Sequence, residues 1–204
     1  HNLLIVQITD QFQGSVTGVL HIGNQMCGTY RLGHVGSLNW NEYVKISLIT
    51  PAGKQSKNGN RTTALRWARL LRQSGHLVRI STDYEGEATD VMIALHARHS
   101  GAAVRRYREQ MTQGPLVVGL GGTDVNTFLQ TERALTLGSM DMADALICLH
   151  DLIGPELPAP LRPKLHVVRQ SAQPLTQPRQ PSKRHFDICV IGHLRAEKDP
   201  FRTA

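Results

Sequence analysis

The sequence predicts an α/β protein built on a Rossmann-like parallel sheet with helices on both faces. The first observation is that short apolar segments alternate with helical patterns between residues 44 and 171. This alternation is typical of a parallel sheet joined by helical crossovers. The second observation is that several of these segments, such as residues 91–96 and 145–149, are apolar almost throughout, as expected of strands that are covered on both faces.

Six segments are predicted to be strands because each is short, contains Leu, Ile or Val at several positions, and is bounded by polar residues or glycine. They comprise residues 44–50, 76–82, 91–96, 116–120, 145–149 and 165–169. Their regular spacing leaves room for a helix or a loop in each connection. We therefore expect one α/β domain over residues 44–171.

Three segments between these strands are predicted to be helices. Residues 61–74 form the first predicted helix, with Gly75 as its C-terminal stop. Its apolar face consists of Ala64, Trp67, Ala68 and Leu71. Ser100 is the predicted N-cap of the second helix, and a third helix is expected to begin at about Val125.

The remainder of the chain divides into three further regions. Residues 1–43 are glycine-rich without clear periodicity, and we expect an irregular leader outside the fold. Residues 172–184 are proline-rich and polar, which is typical of a linker. Residues 185–204 read as a strand, a glycine turn and a first helical turn, so they are expected to open a second, truncated Rossmann-like domain.

Composition limits the classes of partner. The longest apolar runs are strand-sized, so no membrane span is expected. Cys27, Cys148 and Cys189 are odd in number, which favours free thiols and a cytoplasmic location over a disulfide framework. The net charge of +7 suits anionic partners. With aromatic residues at only 5%, a nucleic-acid stacking surface is not expected.

The loop after the first predicted strand is basic and glycine-containing. It precedes a helix, whose N-terminus favours anions. We predict an anion or sugar-phosphate site there, which would bind the acceptor of a transfer reaction. The alternative is an exposed, solvated basic loop. The residues predicted to form the site are Gly53, Lys54, Lys57, Gly59, Asn60 and Arg61.

A second loop contains Thr123 and Asp124 after the fourth predicted strand. Capping of the following helix explains both residue types, and contact with a hydroxylated ligand is the competing interpretation. His96 and His99 have the spacing of metal ligands, but no carboxylate or cysteine accompanies them in sequence. They are therefore interpreted as surface or end-of-strand histidines, and no metal site is predicted.

The third loop is the turn near the end of the sequence. Gly192 follows an apolar strand pattern and would let backbone amides approach a phosphate. Arg195 and Lys198 lie where they could neutralise that phosphate.

Three motifs give the chain a resemblance to a known family. Residues 46–53 and 59–79 contain a strand, a Pro-Ala-Gly loop, the helix motif Gly-Asn-Arg-Thr-Thr-Ala-Leu-Arg-Trp-Ala and a Gly-His-Leu-Val strand. Residues 142–147 read Met-Ala-Asp-Ala-Leu-Ile, and residues 190–200 read Val-Ile-Gly-His-Leu-Arg-Ala-Glu-Lys-Asp-Pro. Together they resemble the GT-B glycosyltransferases of the group 1 class. The residues of these motifs are most similar to those of the selenosugar synthases of selenoneine biosynthesis.

That resemblance implies transfer of a sugar from a UDP-sugar, expected to be UDP-N-acetylglucosamine, to selenophosphate. It implies no cofactor and no metal, and it leaves the catalytic residues unassigned. In this class an arginine and a lysine of the last loop hold the donor diphosphate. Lys198 matches the lysine, whereas His193 stands where the arginine is usual and Arg195 is the expected substitute. Gly192 completes this implied donor site.

Two further expectations concern the chain as a whole. Because the donor domain would be incomplete, residues 1–204 alone are expected to lack transferase activity. The alternative function is a non-catalytic α/β module that binds a phosphorylated ligand or nucleic acid, for which the +7 charge is the support. The oligomeric state is left open.

Overall fold

The computed structural model describes residues 9–10, 16–17, 43–170, 183–185, 199 and 201. The chain divides into two compact units, His1–Ser171 and Ala172–Ala204. The predicted strand and glycine turn of a second domain lie outside the described residues, as does most of the predicted linker. In the predicted leader, β1 (Thr9–Asp10) and β2 (Val16–Thr17) pair antiparallel.

The first unit contains a six-stranded, all-parallel sheet, which confirms the predicted fold class. Its strands are β3 (Lys45–Ile49), β4 (Leu77–Ser81), β5 (Val91–Leu95), β6 (Leu116–Gly119), β7 (Ala145–Cys148) and β8 (Leu165–Val167). They lie in the order β4-β3-β5-β6-β7-β8. Each coincides with a predicted segment, trimmed by one or two residues at its ends.

Helices connect most of these strands. They are α1 (Gly59–Gln73), α2 (Gly101–Gln110), a π-helix (Asp124–Phe128), α3 (Leu129–Thr131), α4 (Arg133–Met142) and 3-10 helices at Asp151–Glu156 and Ala159–Lys164. Among the described residues, no helix has both the length and the apolar character needed to cross a bilayer.

The helices bury the two faces of the sheet in separate cores. Trp67 and Leu71 of α1 pack with Ile93 and other side chains of one face. Tyr107 of α2 and Met140 of α4 are fully buried in the core of the other face. This arrangement explains why the central strands are apolar at successive residues rather than at alternate ones.

Helix α1 begins two residues earlier than predicted because Asn58 caps it. The Asn58 side chain accepts a hydrogen bond from the Arg61 amide at 3.0 Å. At the other end Gly75 adopts a φ of +91°. The His76 amide donates to Leu71 O at 3.1 Å and the Gly75 amide donates to Arg72 O at 3.0 Å, which together form a Schellman motif. The predicted glycine stop is thus confirmed.

Strands β4 and β8 form the two edges of the sheet. Beside β4, the Arg72 guanidinium at the end of α1 donates to the carbonyl of Val78 at 2.5 Å. Strand β8 has only three residues.

The strand order places a topological switch between β3 and β5. The chain leaves β3 for β4 on one side and returns to β5 on the other side of β3. Ligands of open parallel sheets bind outside the carboxyl ends of strands at such a switch. Residues 50–58, 96–100 and 120–123 follow β3, β5 and β6, so all three loops lie at this end of the sheet.

Candidate functional site

The basic loop after β3 is ordered by short-range hydrogen bonds. The Ser56 amide donates to Gly53 O at 3.0 Å, and the Asn58 amide donates to Ser56 Oγ at 3.3 Å. Lys54 and Lys57 are exposed on this loop. Their ammonium groups are therefore accessible to an anion at the N-terminus of α1.

Arg61 differs from these lysines because it is buried. Only 9% of its surface is exposed, and its Nε has no hydrogen-bond partner among the described residues. Burial of a guanidinium nitrogen without a partner costs free energy, which an anion bound nearby would offset. A bound anion would therefore stabilise the buried Arg61 more than it would stabilise the exposed Lys54 or Lys57.

Space is available beside this loop. A Cβ added at Gly53 or at Gly59 would meet no atom within 4 Å. Neither glycine has a positive φ, so the backbone conformation does not require glycine at these positions. Asn60 is partly buried in the first turn of α1. The predicted anion-site residues are thus brought together on one loop and one helical turn.

The Asp124 carboxylate joins the loops after β5 and β6. Its side chain is fully buried. Its Oδ2 accepts from the Ala97 amide at 2.9 Å and the Gly121 amide at 2.8 Å, while its Oδ1 accepts from the Arg98 amide at 2.9 Å. The imidazole Nδ1 of His96 lies 2.8 Å from the same Oδ1. Four nitrogen donors therefore surround one carboxylate.

His96 extends this network towards the surface. The side chain is 4% exposed, and its Nε2 lies 2.8 Å from Thr123 Oγ1. His96 adopts a φ of +75°, an uncommon backbone conformation for a non-glycine residue. Such strain concentrates at functional sites, where the surrounding structure stabilises it. The result is a continuous Asp124–His96–Thr123 chain that ends on a partly exposed hydroxyl.

Aromatic rings and a second ion pair surround the chain. The rings of His99 and Phe128 have their centroids 4.3 Å and 5.7 Å from that of His96. Arg98 Nε donates to the Glu132 carboxylate at 2.6 Å. Burial lowers the pKa of His99, and the adjacent His96 lowers it further. These effects favour the neutral form of His99, which is exposed at the surface as predicted.

Ser100 and Thr123 occupy N-cap positions, as predicted, but neither their side chains nor that of Asp124 makes a capping hydrogen bond. Asp124 does not cap the following helix, because its carboxylate points to Ala97, Arg98 and Gly121 instead. Thr123 precedes the π-helix, but its side chain makes no capping hydrogen bond. Ser100 precedes α2, yet its hydroxyl donates to Leu95 O at 2.7 Å rather than accepting from the helix.

The role of His96 was not predicted. It lies at the end of a strand, as expected, but it is buried and not on the surface. The sequence gives little indication of this role, because only the pairing of β5 with β6 brings His96 close to Asp124. Within the part of the chain that the structure describes, no group of three or more His, Cys, Asp or Glu residues could hold a metal ion.

The predicted donor-diphosphate residues are Gly192, His193, Arg195 and Lys198, and all four lie outside the described residues. A cavity of about 420 Å³ lies at the opposite, amino end of β3 and β4, with Lys45, Arg72 and Glu87 in its lining. It does not include the carboxyl-end loops. The strained backbone and buried network of those loops make them the stronger candidate site.

No protein-family model and no curated protein matches this chain.

Proposed function

We propose that the chain forms the acceptor-side domain of a GT-B glycosyltransferase. In the proposed reaction a sugar passes from a UDP-sugar, UDP-N-acetylglucosamine being the leading donor, to a small anionic acceptor. Selenophosphate is the leading acceptor, and the product is a selenosugar. The bond between the sugar and UDP breaks, a carbon–selenium bond forms, and UDP leaves with the bonding electron pair. Water then hydrolyses the phosphorus–selenium bond, which releases phosphate and leaves the selenosugar.

The observation that carries the proposal is the buried Arg61. Its Nε, which has no hydrogen-bond partner in the described part of the chain, lies in the first turn of α1, directly after a loop that exposes Lys54 and Lys57. An acceptor with two or more negative charges would satisfy the guanidinium and the helix N-terminus together. The resemblance of residues 46–53 and 59–79 to group 1 enzymes supports the same assignment.

The strand order also supports it. The Arg61 turn follows β3, and the Thr123 loop follows β6, with β5 between them. Neighbouring strands are about 4.8 Å apart, so these loops are separated by roughly 10 Å. That separation suits a ligand in which a sugar and a phosphate-like group are joined.

The anion site is tested with inorganic phosphate, a stable analogue of the acceptor. We expect isothermal titration calorimetry to detect phosphate binding to the chain. Arg61→Met should weaken binding on the order of tenfold, because a charged hydrogen bond contributes about 1.5 kcal/mol or more. Arg69→Met removes an exposed arginine of the same helix and is the matched control. Equal affinities in both variants would remove Arg61 from the site.

Transfer itself is tested by incubating a protein that includes a complete donor domain with UDP-N-acetylglucosamine and selenophosphate. Release of UDP and formation of a selenosugar are expected, and Arg61→Met should reduce both. A protein that binds phosphate but consumes no UDP-sugar would instead be a non-catalytic module for a phosphorylated ligand.

The salt dependence of binding distinguishes a nucleic-acid-binding protein from one that binds a small phosphorylated ligand. Steep loss of duplex DNA binding with rising salt, without any phosphate binding, would favour the nucleic-acid alternative. The +7 net charge makes this control necessary.

A further inference from the structure

The Asp124 carboxylate determines the direction of every hydrogen bond in the Asp124–His96–Thr123 chain. The Ala97, Arg98 and Gly121 amides can only donate, so the carboxylate accepts from all three. The fourth contact is His96 Nδ1 at 2.8 Å. A lone pair on that nitrogen would face an anionic oxygen, and therefore Nδ1 carries a hydrogen.

A competing contact to the same nitrogen does not alter this assignment. The amide nitrogen of His99 lies 3.3 Å from His96 Nδ1, and a bond there would require Nδ1 to accept. The carboxylate contact is shorter and charge-assisted, so it decides which atom carries the hydrogen. With this hydrogen on Nδ1, the neutral form of the imidazole has its free lone pair on Nε2.

When the His96 imidazole is neutral, Thr123 has only one arrangement available to it. Its Oγ1 lies 2.8 Å from His96 Nε2, so the hydroxyl hydrogen is donated to the imidazole. The remaining lone pairs of Oγ1 can only accept. A ligand group that contacts this oxygen must therefore supply a hydrogen, which a hydroxyl does and a fully ionised phosphate oxygen does not.

The surroundings of Thr123 leave room for such a ligand. The residue is partly exposed at the carboxyl end of the sheet. A Cβ added at the neighbouring Gly122 would meet no atom within 4 Å. The anion-binding features lie on the other side of β5, where Arg61 follows β3. A charged group and a hydroxyl of one ligand could thus be bound on separate loops.

We propose that Thr123 Oγ1 accepts a hydrogen bond from a sugar hydroxyl, and that Asp124, acting through His96, is the positioning residue that makes Thr123 an acceptor. The choice of a sugar rests on the proposed function, whereas the hydrogen-bond direction rests on the geometry alone. Thr123 thereby selects a neutral hydroxyl, while Arg61 and the basic loop take the anionic group.

The first experiment measures the hydrogen-bond direction in the unliganded chain. Long-range ¹H–¹⁵N spectra of ¹⁵N-histidine-labelled protein at pH 8 distinguish the two neutral tautomers of His96. We expect hydrogen on Nδ1, and Asp124→Asn should shift the population towards the other tautomer. Hydrogen on Nε2 in the wild-type chain would overturn the proposal.

The second experiment uses N-acetylglucosamine 1-phosphate as the probe. Thr123→Val keeps the shape but removes the hydroxyl, and it should weaken binding on the order of fivefold to tenfold. Thr123→Ser keeps the hydroxyl and should bind nearly as the wild type does. Inorganic phosphate should bind the wild-type and Val chains equally. Failure of the sugar phosphate to bind, or equal binding by all three chains, would overturn the proposal.

Fluorinated probes identify the hydroxyl group. Fluorine cannot donate, so one deoxyfluoro analogue should bind the wild-type chain several-fold more weakly than the parent sugar phosphate. That difference should disappear in Thr123→Val, and its persistence there would overturn the assignment to Thr123. Hydroxyl-dependent binding without any turnover of UDP-N-acetylglucosamine would refute the proposed transferase while leaving this inference standing.

Discussion

The carboxylate of Asp124 lies 2.8 Å from the imidazole Nδ1 of His96, although the two residues belong to loops that follow different strands. The contact fastens the end of β5 to the end of β6 in a region that is nearly inaccessible to water. It also stabilises the positive φ of His96, because the amides of the next two residues donate to the same carboxylate.

Replacement of Asp124 by Asn should destabilise the fold strongly. The Asn amide group would face nitrogen donors where the carboxylate now accepts, so buried donors would lose their partner. We expect a loss of about 2–4 kcal/mol in the free energy of unfolding, measured by urea denaturation. Asp141→Asn changes an exposed carboxylate of α4 and should leave the urea midpoint nearly unchanged. A wild-type midpoint for Asp124→Asn would contradict this account.

Arg108→Lys should also be destabilising despite the retained charge. The Arg108 guanidinium donates to Gly114 O at 2.7 Å, to Met142 O at 2.5 Å and to the Asp144 carboxylate at 3.0 Å, and thereby ties α2 to the end of α4. A lysine cannot reproduce this planar set of contacts. We expect a loss of about 2 kcal/mol in thermal or urea unfolding. Arg105→Lys, on the exposed side of α2, should change stability little.

Two glycine substitutions should change the free energy of unfolding in opposite directions. Gly75→Ala places a side chain at a φ of +91° and should cost about 1 kcal/mol. Gly138→Ala lies inside α4, where a Cβ would meet no atom within 4 Å, and should stabilise the fold by roughly 1 kcal/mol. Differential scanning calorimetry of both variants tests the pair. Melting temperatures that shift in the same direction in both variants would be incompatible with the assigned backbone geometry.

Tyr107 should make stability depend on pH in the alkaline range. Burial raises the pKa of Tyr107 to about 12, whereas an unfolded tyrosine titrates near pH 10. The folded state therefore favours the neutral phenol. The resulting contribution of Tyr107 to the free energy of unfolding is fully present below pH 10. It is lost as the pH rises from about 10 to about 12, by roughly 2–3 kcal/mol in total.

The measurement for Tyr107 is urea unfolding at several pH values between 9 and 12. Tyr107→Phe removes the titrating group and also the hydrogen bond to Pro115 O, which is 3.1 Å long. It should be less stable than the wild type at pH 9, and the difference should shrink as the pH rises. A difference that stays constant over this range would show that Tyr107 does not titrate as inferred.

The strands were predictable because their signal is local. Segments such as residues 91–96 and 145–149 are apolar at nearly every position, which is what burial on both faces of a sheet requires. The predicted ends extend one or two residues beyond the strands, although Thr50, Leu120 and Val168 still donate backbone hydrogen bonds to a neighbouring strand. The stop of α1 at Gly75 was also local, since it depends on one residue with a positive φ.

The third helical segment was less predictable. It begins as a π-helix at Asp124–Phe128 and breaks at Glu132 before α4 starts. No periodic pattern in the sequence specifies a π-turn, because the additional residue is accommodated by tertiary contacts. Here the Asp124 carboxylate, drawn towards the β5 loop, supplies those contacts.

The candidate site was predictable only where its residues are close in sequence. The Lys54–Arg61 loop was predicted to be an anion site from its charge, its glycines and the helix that follows, and it stays a prediction. The partnership of His96 with Asp124 could not be predicted, because it requires the neighbouring alignment of β5 and β6. Two ordinary polar residues became a network only when the sheet placed them together.

The contact between Arg72 and Val78 has a consequence for association between molecules. Strand β4 is an edge of the sheet, and an exposed edge can pair with a strand of another chain. The Arg72 guanidinium covers a peptide carbonyl on that edge and adds a positive charge beside it. Two such edges that approached each other would bring like charges together, which disfavours the intermolecular β-sheet that leads to aggregation.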